Sequence, residues 1–488
     1  MKSVEKVEKM INSIERKIIR SFEKNNYEKT LHLIKTYANI MYLYNQTYTN
    51  SNIEEILSKT VNSIYQKPEL EKNKLVEENV IFYDGFGIDN RGLALIYLKA
   101  LCKKYHVIYI TAMDNKENIN DIKEILESSS SEIYYIKSKN ITSCINELIN
   151  ITNSVKPKNM LLYTYPDDVI GISFFELYEN IICRYQINLT DHAFWLGTKA
   201  FDYCIEFRNY GASISAKYRN ISEKKLLKLP FYPNINYSQE FEGYPFEFDE
   251  KKDKFIFSGG SLYKTLGAGN KYYHVVEKIL SRYNDLYFWY AGSGDSRELD
   301  KLIKKYPNRI FHTNERKDLY QILKRCYFYL STYPICGGLM FQYAAKAHKL
   351  PITLKYDDII DEFLLNQEDL NIIFNSEDEI YKEIDKIYND KEYRENYEKD
   401  VFNSVITEDI FERKLYKIIE EKETEFSITY KNIDIDKFRK TYKENINIKN
   451  IYTMFFHYNK FYLIFQFPYY TFYGFILTCI NKIKKYKK

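Results

Sequence analysis

The densest run of chemically useful residues is Ser331-Thr332-Tyr333-Pro334-Ile335-Cys336-Gly337-Gly338-Leu339-Met340-Phe341-Gln342. It reads as the end of a strand, a proline that turns the chain, a glycine pair, and the first turn of a helix. The first amides of a helix have no intrahelical partner and carry the positive end of its dipole. Those of Gly337, Gly338 and Leu339 could therefore hold a diphosphate. Gln342 follows one turn later, placed to bond a ribose or sugar hydroxyl. A plain strand-to-helix turn is the competing reading of the same residues.

Three further glycine loops sit at apolar runs: Gly85–Gly92, Gly259–Gly269 and Gly292–Gly294. Glycine there lets backbone approach a phosphate or sugar, and tight-turn packing explains any one of them equally well. The first, which holds Gly85, Gly87, Arg91 and Gly92, is G-x-G-x-x-x-x-G and not the dinucleotide fingerprint. Lys264, just after Gly259 and Gly260, and Arg316, at the start of a later helix, could neutralise phosphate charge or be ordinary solvated cations.

The other dense stretch is Leu189-Thr190-Asp191-His192-Ala193-Phe194-Trp195-Leu196-Gly197. Asp191 beside His192 could tune an imidazole for general-base work, and Trp195 could stack on a sugar ring. A buried structural histidine is the alternative. Asp167-Asp168 follows Pro166 at a strand end, where a helix N-cap explains it as well as chemistry does. The histidines show no H-x-x-x-H or H-E-x-x-H spacing, and the one D-x-D, Asp434 to Asp436, reads as solvated surface. No metal or resident cofactor is expected.

The elements that must position these residues alternate. Residues 1–75 are helical in pattern, with apolar positions at helical spacing, and form a helical extension. From Val80, short apolar strands alternate with helices: Val80–Tyr83, Val107–Thr111, Ile133–Ile136, Met160–Tyr163, Ile205–Phe207 and Lys228–Pro230. A Pro-, Tyr- and Asn-rich segment, Phe231–Asp253, reads as a linker. A second series follows: Lys254–Ser258, Leu286–Ala291, Arg309–His312, Tyr327–Ser331 and Pro351–Leu354, then charged helix over Glu377–Lys422. This is the pattern of α/β architecture with two Rossmann-like domains, over 76–235 and 236–425, and ligands outside the carboxyl ends of the strands.

Composition bounds the function. With 71 Lys+Arg against 67 Asp+Glu the net charge is +4 over 488 residues, too weak for a nucleic-acid binder. Hydrophobic residues at 45% exclude global disorder. Seven scattered cysteines without C-x-x-C fit a reducing compartment. Met1–Phe22 is charged and amphipathic, unlike a signal peptide. The 49 Tyr and 31 Phe are an excess that AT-rich codon usage explains in part.

Part of that excess is local. Residues 461–480 carry no charge, and Lys482, Lys484, Lys485, Lys487 and Lys488 follow. Gln466, Pro468, Gly474 and the tyrosines favour a helix or helical pair in a membrane interface over a true span. Packing on the first domain is the third reading. The tail over 426–488 is expected to associate with a membrane.

The two-domain pattern, with a Gly-rich first loop and a strand–Pro–Gly-Gly–helix in the second domain, resembles the GT-B glycosyltransferases of bacterial cell-surface polysaccharide biosynthesis, family 4 and its like. The resemblance covers roughly residues 78–420. Pro334–Pro351 is similar to their donor-binding segment, and Asp191–Gly197 looks like a motif of the same group. Many retaining relatives carry a Glu in the helix after the glycine pair, where this chain offers Gln342. The resemblance implies a nucleotide-sugar donor on the second domain, at Gly259, Gly260, Lys264, Gly292, Arg316, Gly337, Gly338, Leu339 and Gln342. It implies a glycan or lipid-linked acceptor on the first, at Gly85, Gly87, Arg91, Gly92 and Trp195, with Asp191 or His192 as base if the reaction inverts. It also implies metal-independent transfer in the cytoplasm, on the inner face of the membrane. A protein glycosyltransferase, a nucleotide-binding oxidoreductase and an inactive sugar-binding partner subunit are the alternatives.

Overall fold

The computed structural model describes residues 2–86, 91–112, 119–355, 370–444, 446–459 and 463–486. Gly87, Lys487 and Lys488, named above, lie outside them. The chain forms two compact units: Met1–Leu229 with Glu412–Lys488, and Pro230–Phe411.

The first unit opens with α1 (Lys2–Glu23), α2 (Tyr27–Tyr44) and α3 (Ser51–Ile64). Its sheet holds β1 (Val76–Asp84), β2 (His106–Ala112), β3 (Glu132–Ile136), β4 (Pro157–Tyr163), β5 (Cys183–Asn188), β6 (Tyr203–Glu206) and β7 (Leu226–Lys228). The strands pair in the order β3-β2-β1-β4-β5-β6-β7, all parallel. The carboxyl ends of β1 and β4 are completely buried, as a sheet covered on two sides requires. Between strands lie α4 (Arg91–Leu101), α5 (Asn120–Ser128), α6 (Ile141–Val155), α7 (Val169–Leu177) and α8 (Asn209–Tyr218). The strand order reverses between β1 and β4.

Strand β5 is absent from the sequence reading because Arg184, Gln186 and Asn188 break its apolar pattern. The fold buries them with partners instead. Arg184, 1% exposed, bonds Asp202 through Nη2 (2.8 Å) and the Phe175 carbonyl through Nη1 (3.1 Å).

The second unit repeats the plan. Its strands are β8 (Lys254–Gly259), β9 (Leu286–Ala291), β10 (Ile310–Thr313), β11 (Phe328–Leu330), β12 (Pro351–Leu354) and β13 (Ile373–Phe374). They pair in parallel in the order β10-β9-β8-β11-β12-β13, and the order reverses between β8 and β11. The helices are α9 (Lys271–Arg282), α10 (Arg297–Lys305), α11 (Leu319–Arg325), α12 (Gly338–Lys346), α13 (Glu377–Asn389) and α14 (Lys391–Asn403). Both sheets are thus Rossmann-like, as the alternation predicts. Phe231–Asp253, read as a linker, has no helix or strand, yet its aromatics pack on this sheet. Phe246 stacks on Phe311 at 3.9 Å, and Phe248 lies 5.4 Å from Phe255.

The chain then returns to the first unit. Within α15 (Glu408–Glu421), the Ile418 and Ile419 carbonyls accept from the Tyr185 hydroxyl at 3.3 and 3.1 Å. Next come α16 (Ile435–Glu444), α17 (Ile448–Asn459) and α18 (Pro468–Tyr486). Ile451, Tyr452 and Phe455 of α17 join the core that α1–α3 share with the first sheet. No described helix is long and apolar enough to cross a membrane.

Candidate functional site

The carboxyl ends of β8, β9 and β11 are neighbours, and their three loops meet at the point of strand-order reversal. Ligands of open α/β sheets bind at such points. The Gly260 amide donates to the Ala291 carbonyl (2.9 Å), and the Leu262 amide to the Ser293 carbonyl (2.8 Å). Tyr290 Oη donates to the Gly260 carbonyl at 2.8 Å. This zipping explains two of the glycines. A Cβ at Gly292 would overlap the Gly260 carbonyl oxygen, and one at Gly259 would lie 3.2 Å from the Ala291 carbonyl oxygen.

Gly337 and Gly338 are different. A Cβ at Gly338 would meet no protein atom within 4 Å. At Gly337 the nearest atoms would be Met340 Cγ (3.7 Å) and Lys264 Nζ (3.9 Å). Packing therefore does not demand this glycine pair, and the space in front of it is open. Lys264 sits in a short 3-10 turn, Leu262–Thr265, and its carbonyl accepts from the Ile335 amide at 3.3 Å. The loop after β11 turns through a cis Tyr333–Pro334 bond, and Thr332 Oγ1 donates to the Ile335 carbonyl at 2.7 Å. The outcome is an ammonium beside the bare N-terminus of α12, with Leu339 exposed at its rim.

Two residues read as donor contacts are engaged elsewhere. Gln342 is fully buried, and its Nε2 donates to the Phe231 carbonyl at 2.9 Å. It ties α12 to the segment that opens the unit. Arg316 forms two hydrogen bonds to buried Asp318, Nε at 2.8 Å and Nη2 at 2.7 Å. A third reaches the Gly243 carbonyl at 3.0 Å, and the guanidinium lies 5.1 Å from the Trp289 ring.

In the first unit the loop after β5 carries Asp191, His192 and Trp195. Asp191 is buried, and Arg208 grips both its oxygens. Burial works to raise the Asp191 carboxyl, but the Arg208 charge, with His192, outweighs it and holds the group well below the usual carboxylate range. The His192 ring, 41% exposed, is the accessible member of the pair, with Nδ1 3.5 Å from Asp191 Oδ1. Trp195 is buried under the Arg219 guanidinium at 4.6 Å, so its ring faces protein.

What holds this loop is invisible locally. Arg219 Nη2 donates to the carbonyls of Thr190 (3.2 Å), Asp191 (3.1 Å) and Ala193 (2.6 Å). Asn45, after α2, donates to the His192 carbonyl at 3.0 Å and accepts from the Phe194 amide at 3.1 Å. Glu54 of α3 accepts from the Gly197 amide at 2.9 Å, and burial pushes its carboxyl up to about 7. Below lies Glu206, also buried and raised by burial, accepting from Asn188 Nδ2 at 3.0 Å and Ser215 Oγ at 2.5 Å. The N-terminal helices, which held no chemical signal as sequence, position the His192 loop.

Gly85 lies at the β1/β4 reversal. Its amide donates to the Tyr163 carbonyl at 2.8 Å, and a Cβ there would overlap the Thr164 and Asp168 side chains. Asp168 caps α7 by accepting from the Gly171 amide at 3.0 Å, the N-cap role open to it. Arg91 and Gly92 open α4. Among the described residues no three His, Cys, Asp or Glu gather as metal ligands would.

No protein-family model and no curated protein matches the sequence. Solved structures do resemble the fold. An O-GlcNAc transferase of Thermobaculum terrenum aligns with a TM-score of 0.51 at 12% identity, over 91% of this chain and 82% of its own. The protein TarM aligns with a TM-score of 0.51 at 9% identity, over 71% and 99%. A UDP-GlcNAc 2-epimerase from Neisseria meningitidis aligns at 0.47 and 12% identity, over 70% and 100%. At such identities the likeness is one of fold, and the fold of this chain is GT-B.

Proposed function

We propose that the protein is a GT-B glycosyltransferase that moves a sugar from a nucleotide-sugar donor to a glycan or lipid-linked acceptor in cell-surface polysaccharide assembly. The observation that carries the proposal is the Lys264 ammonium beside the open N-terminus of α12, at the reversal point of the second sheet. A nucleoside diphosphate gains a negative charge on its terminal phosphate oxygen as the bond to the sugar breaks, and that charge must be stabilised. A neighbouring cation and a row of amides at a helix N-terminus would supply that stabilisation without a divalent ion. In this reading the donor contacts are Lys264, Gly337, Gly338 and Leu339. Gln342 and Arg316 support the second unit's frame.

The first unit is read as the acceptor half. His192 is the candidate base, since it is exposed, whereas Asp191 is spent on Arg208. Such an enzyme works at the inner face of the membrane, where lipid-linked acceptors are met. The test is a panel of UDP-, GDP- and dTDP-sugars scored by thermal shift and by donor hydrolysis, with and without chelator. Stabilisation by one donor class, abolished in Lys264→Ala, is the expected result. No shift with any nucleotide sugar overturns the reading, and a shift with NAD alone favours an oxidoreductase.

A further inference from the structure

Helix α18 turns an apolar stripe outward. Phe465, just before it, is 95% exposed, and Phe472 is 63% exposed. Tyr469, Ile476, Ile480 and Ile483 are exposed as well. From Tyr469 onward these residues recur three and four positions apart, so they form one continuous helical face.

The opposite face fixes that direction. A Cβ at Gly474 would overlap the Tyr452 carbonyl oxygen and lie 2.8 Å from Phe456 Cβ, so α17 and α18 touch there. The Tyr452 ring meets Tyr470 at 5.7 Å and Tyr473 at 5.3 Å. Phe455 meets Phe467 at 5.7 Å, and Phe455 itself belongs to the first unit's core. The stripe is therefore held outward by a packed hairpin and is no frayed end.

Sequence decides what the stripe can meet. No charged residue occurs from Phe461 to Asn481, and five lysines follow within the last seven residues. Tyr and Phe on an exposed helical face suit the level of lipid headgroups, where a ring can be half in water. The lysines complement anionic headgroups. Another copy of this helix would bring the same charge and lacks that complementarity. At 19 residues the helix is about 28 Å long, enough to lay its whole stripe on a surface.

We propose that α18 is a membrane-docking surface. It lies along an anionic bilayer, with Phe465, Tyr469, Phe472, Ile476, Ile480 and Ile483 sunk to the headgroup–acyl boundary, and the charge of the C-terminal lysines favours anionic over neutral lipid. This rests on the membrane contact in the reading above and is independent of the donor site.

The test is flotation of the full chain with vesicles of pure phosphatidylcholine, and of phosphatidylcholine mixed equally with phosphatidylglycerol. The wild type is expected to float with the mixed vesicles and to be released by high salt. Phe472→Ser with Ile480→Ser replaces only exposed side chains, and it should abolish flotation while leaving the melting temperature unchanged. Lys482→Ala with Lys484→Ala should weaken binding to mixed vesicles by about fivefold per lysine. Equal flotation of the serine variant would show that another surface docks. Failure of the wild type to float would overturn the membrane contact itself, with donor binding unaffected. A wild-type dimer that the serine substitutions dissociate, with no flotation, would identify a second copy as the occupant.

Discussion

Arg208 holds Asp191 through two parallel hydrogen bonds, Nε at 2.6 Å and Nη2 at 2.9 Å, at a carboxylate with no exposed surface. Removing one partner leaves a buried charge uncompensated, so Arg208→Ala should cost about 3–5 kcal/mol of stability in urea unfolding. Arg208→Lys keeps the charge without the fork and should fall between. The pH dependence has a definite sign. The folded Asp191 carboxyl lies below its ordinary 3.8, so its stabilisation is complete above that pH and fades as pH falls below it. That acid limb should flatten in Asp191→Asn.

Glu54 acts in the opposite sense. Burial raises its carboxyl from 4.5 to about 7, so the folded state binds a proton more tightly than the unfolded state does. Its contribution is most favourable below about 4.5, declines as pH rises, and levels off above about 7. Glu54→Gln retains an acceptor for the Gly197 amide without the titration. The variant should gain stability relative to the wild type as pH rises through that window, by about 3 kcal/mol at most. Thermal melts across the pH range measure it.

The glycines should separate by role. Gly292→Ala forces a methyl into the Gly260 carbonyl and should lower stability by about 1–3 kcal/mol or more, with donor binding lost as the loops separate. A Cβ at Gly338 meets no protein atom within 4 Å, so Gly338→Val should keep a melting temperature near that of the wild type. Its nucleotide-sugar affinity should nonetheless collapse in calorimetric titration. Unchanged affinity in Gly338→Val would remove the α12 N-terminus from the donor site.

Lys264 and Arg316 should split the same way. In the proposed donor site Lys264 would make a charge-assisted contact worth about 1.5–3 kcal/mol, so Lys264→Ala should lower donor affinity by one to two decades with little effect on folding. Arg316→Ala strands buried Asp318 and should destabilise by about 3–5 kcal/mol, while the folded fraction keeps its donor affinity. Unfolding curves and titrations on both variants check the split.

The strands that sequence reveals are those with unbroken apolar runs, such as Val80–Tyr83 and Leu286–Ala291, because burial on both faces leaves no polar alternation. Strand β5 escapes the same test, since Arg184 and Asn188 are buried only by virtue of partners elsewhere in the fold. The glycine loops are equally legible, as are the Asp191–His192 pair and the uncharged tail.

Sequence by itself determined the α/β class, the two domain repeats, and the residues worth examining. Only the tertiary structure decided their contacts, because each contact depends on a partner distant in the chain. Asp191 meets Arg208, and Gln342 turns inward to the Phe231 carbonyl. Lys264 and Gly337, more than seventy residues apart, become neighbours because β8 and β11 are adjacent at the reversal of strand order. The aromatic excess at the C-terminus was plain as composition. Its direction was set by Gly474, where the absence of a side chain lets α18 close on α17 and leaves the opposite face to solvent.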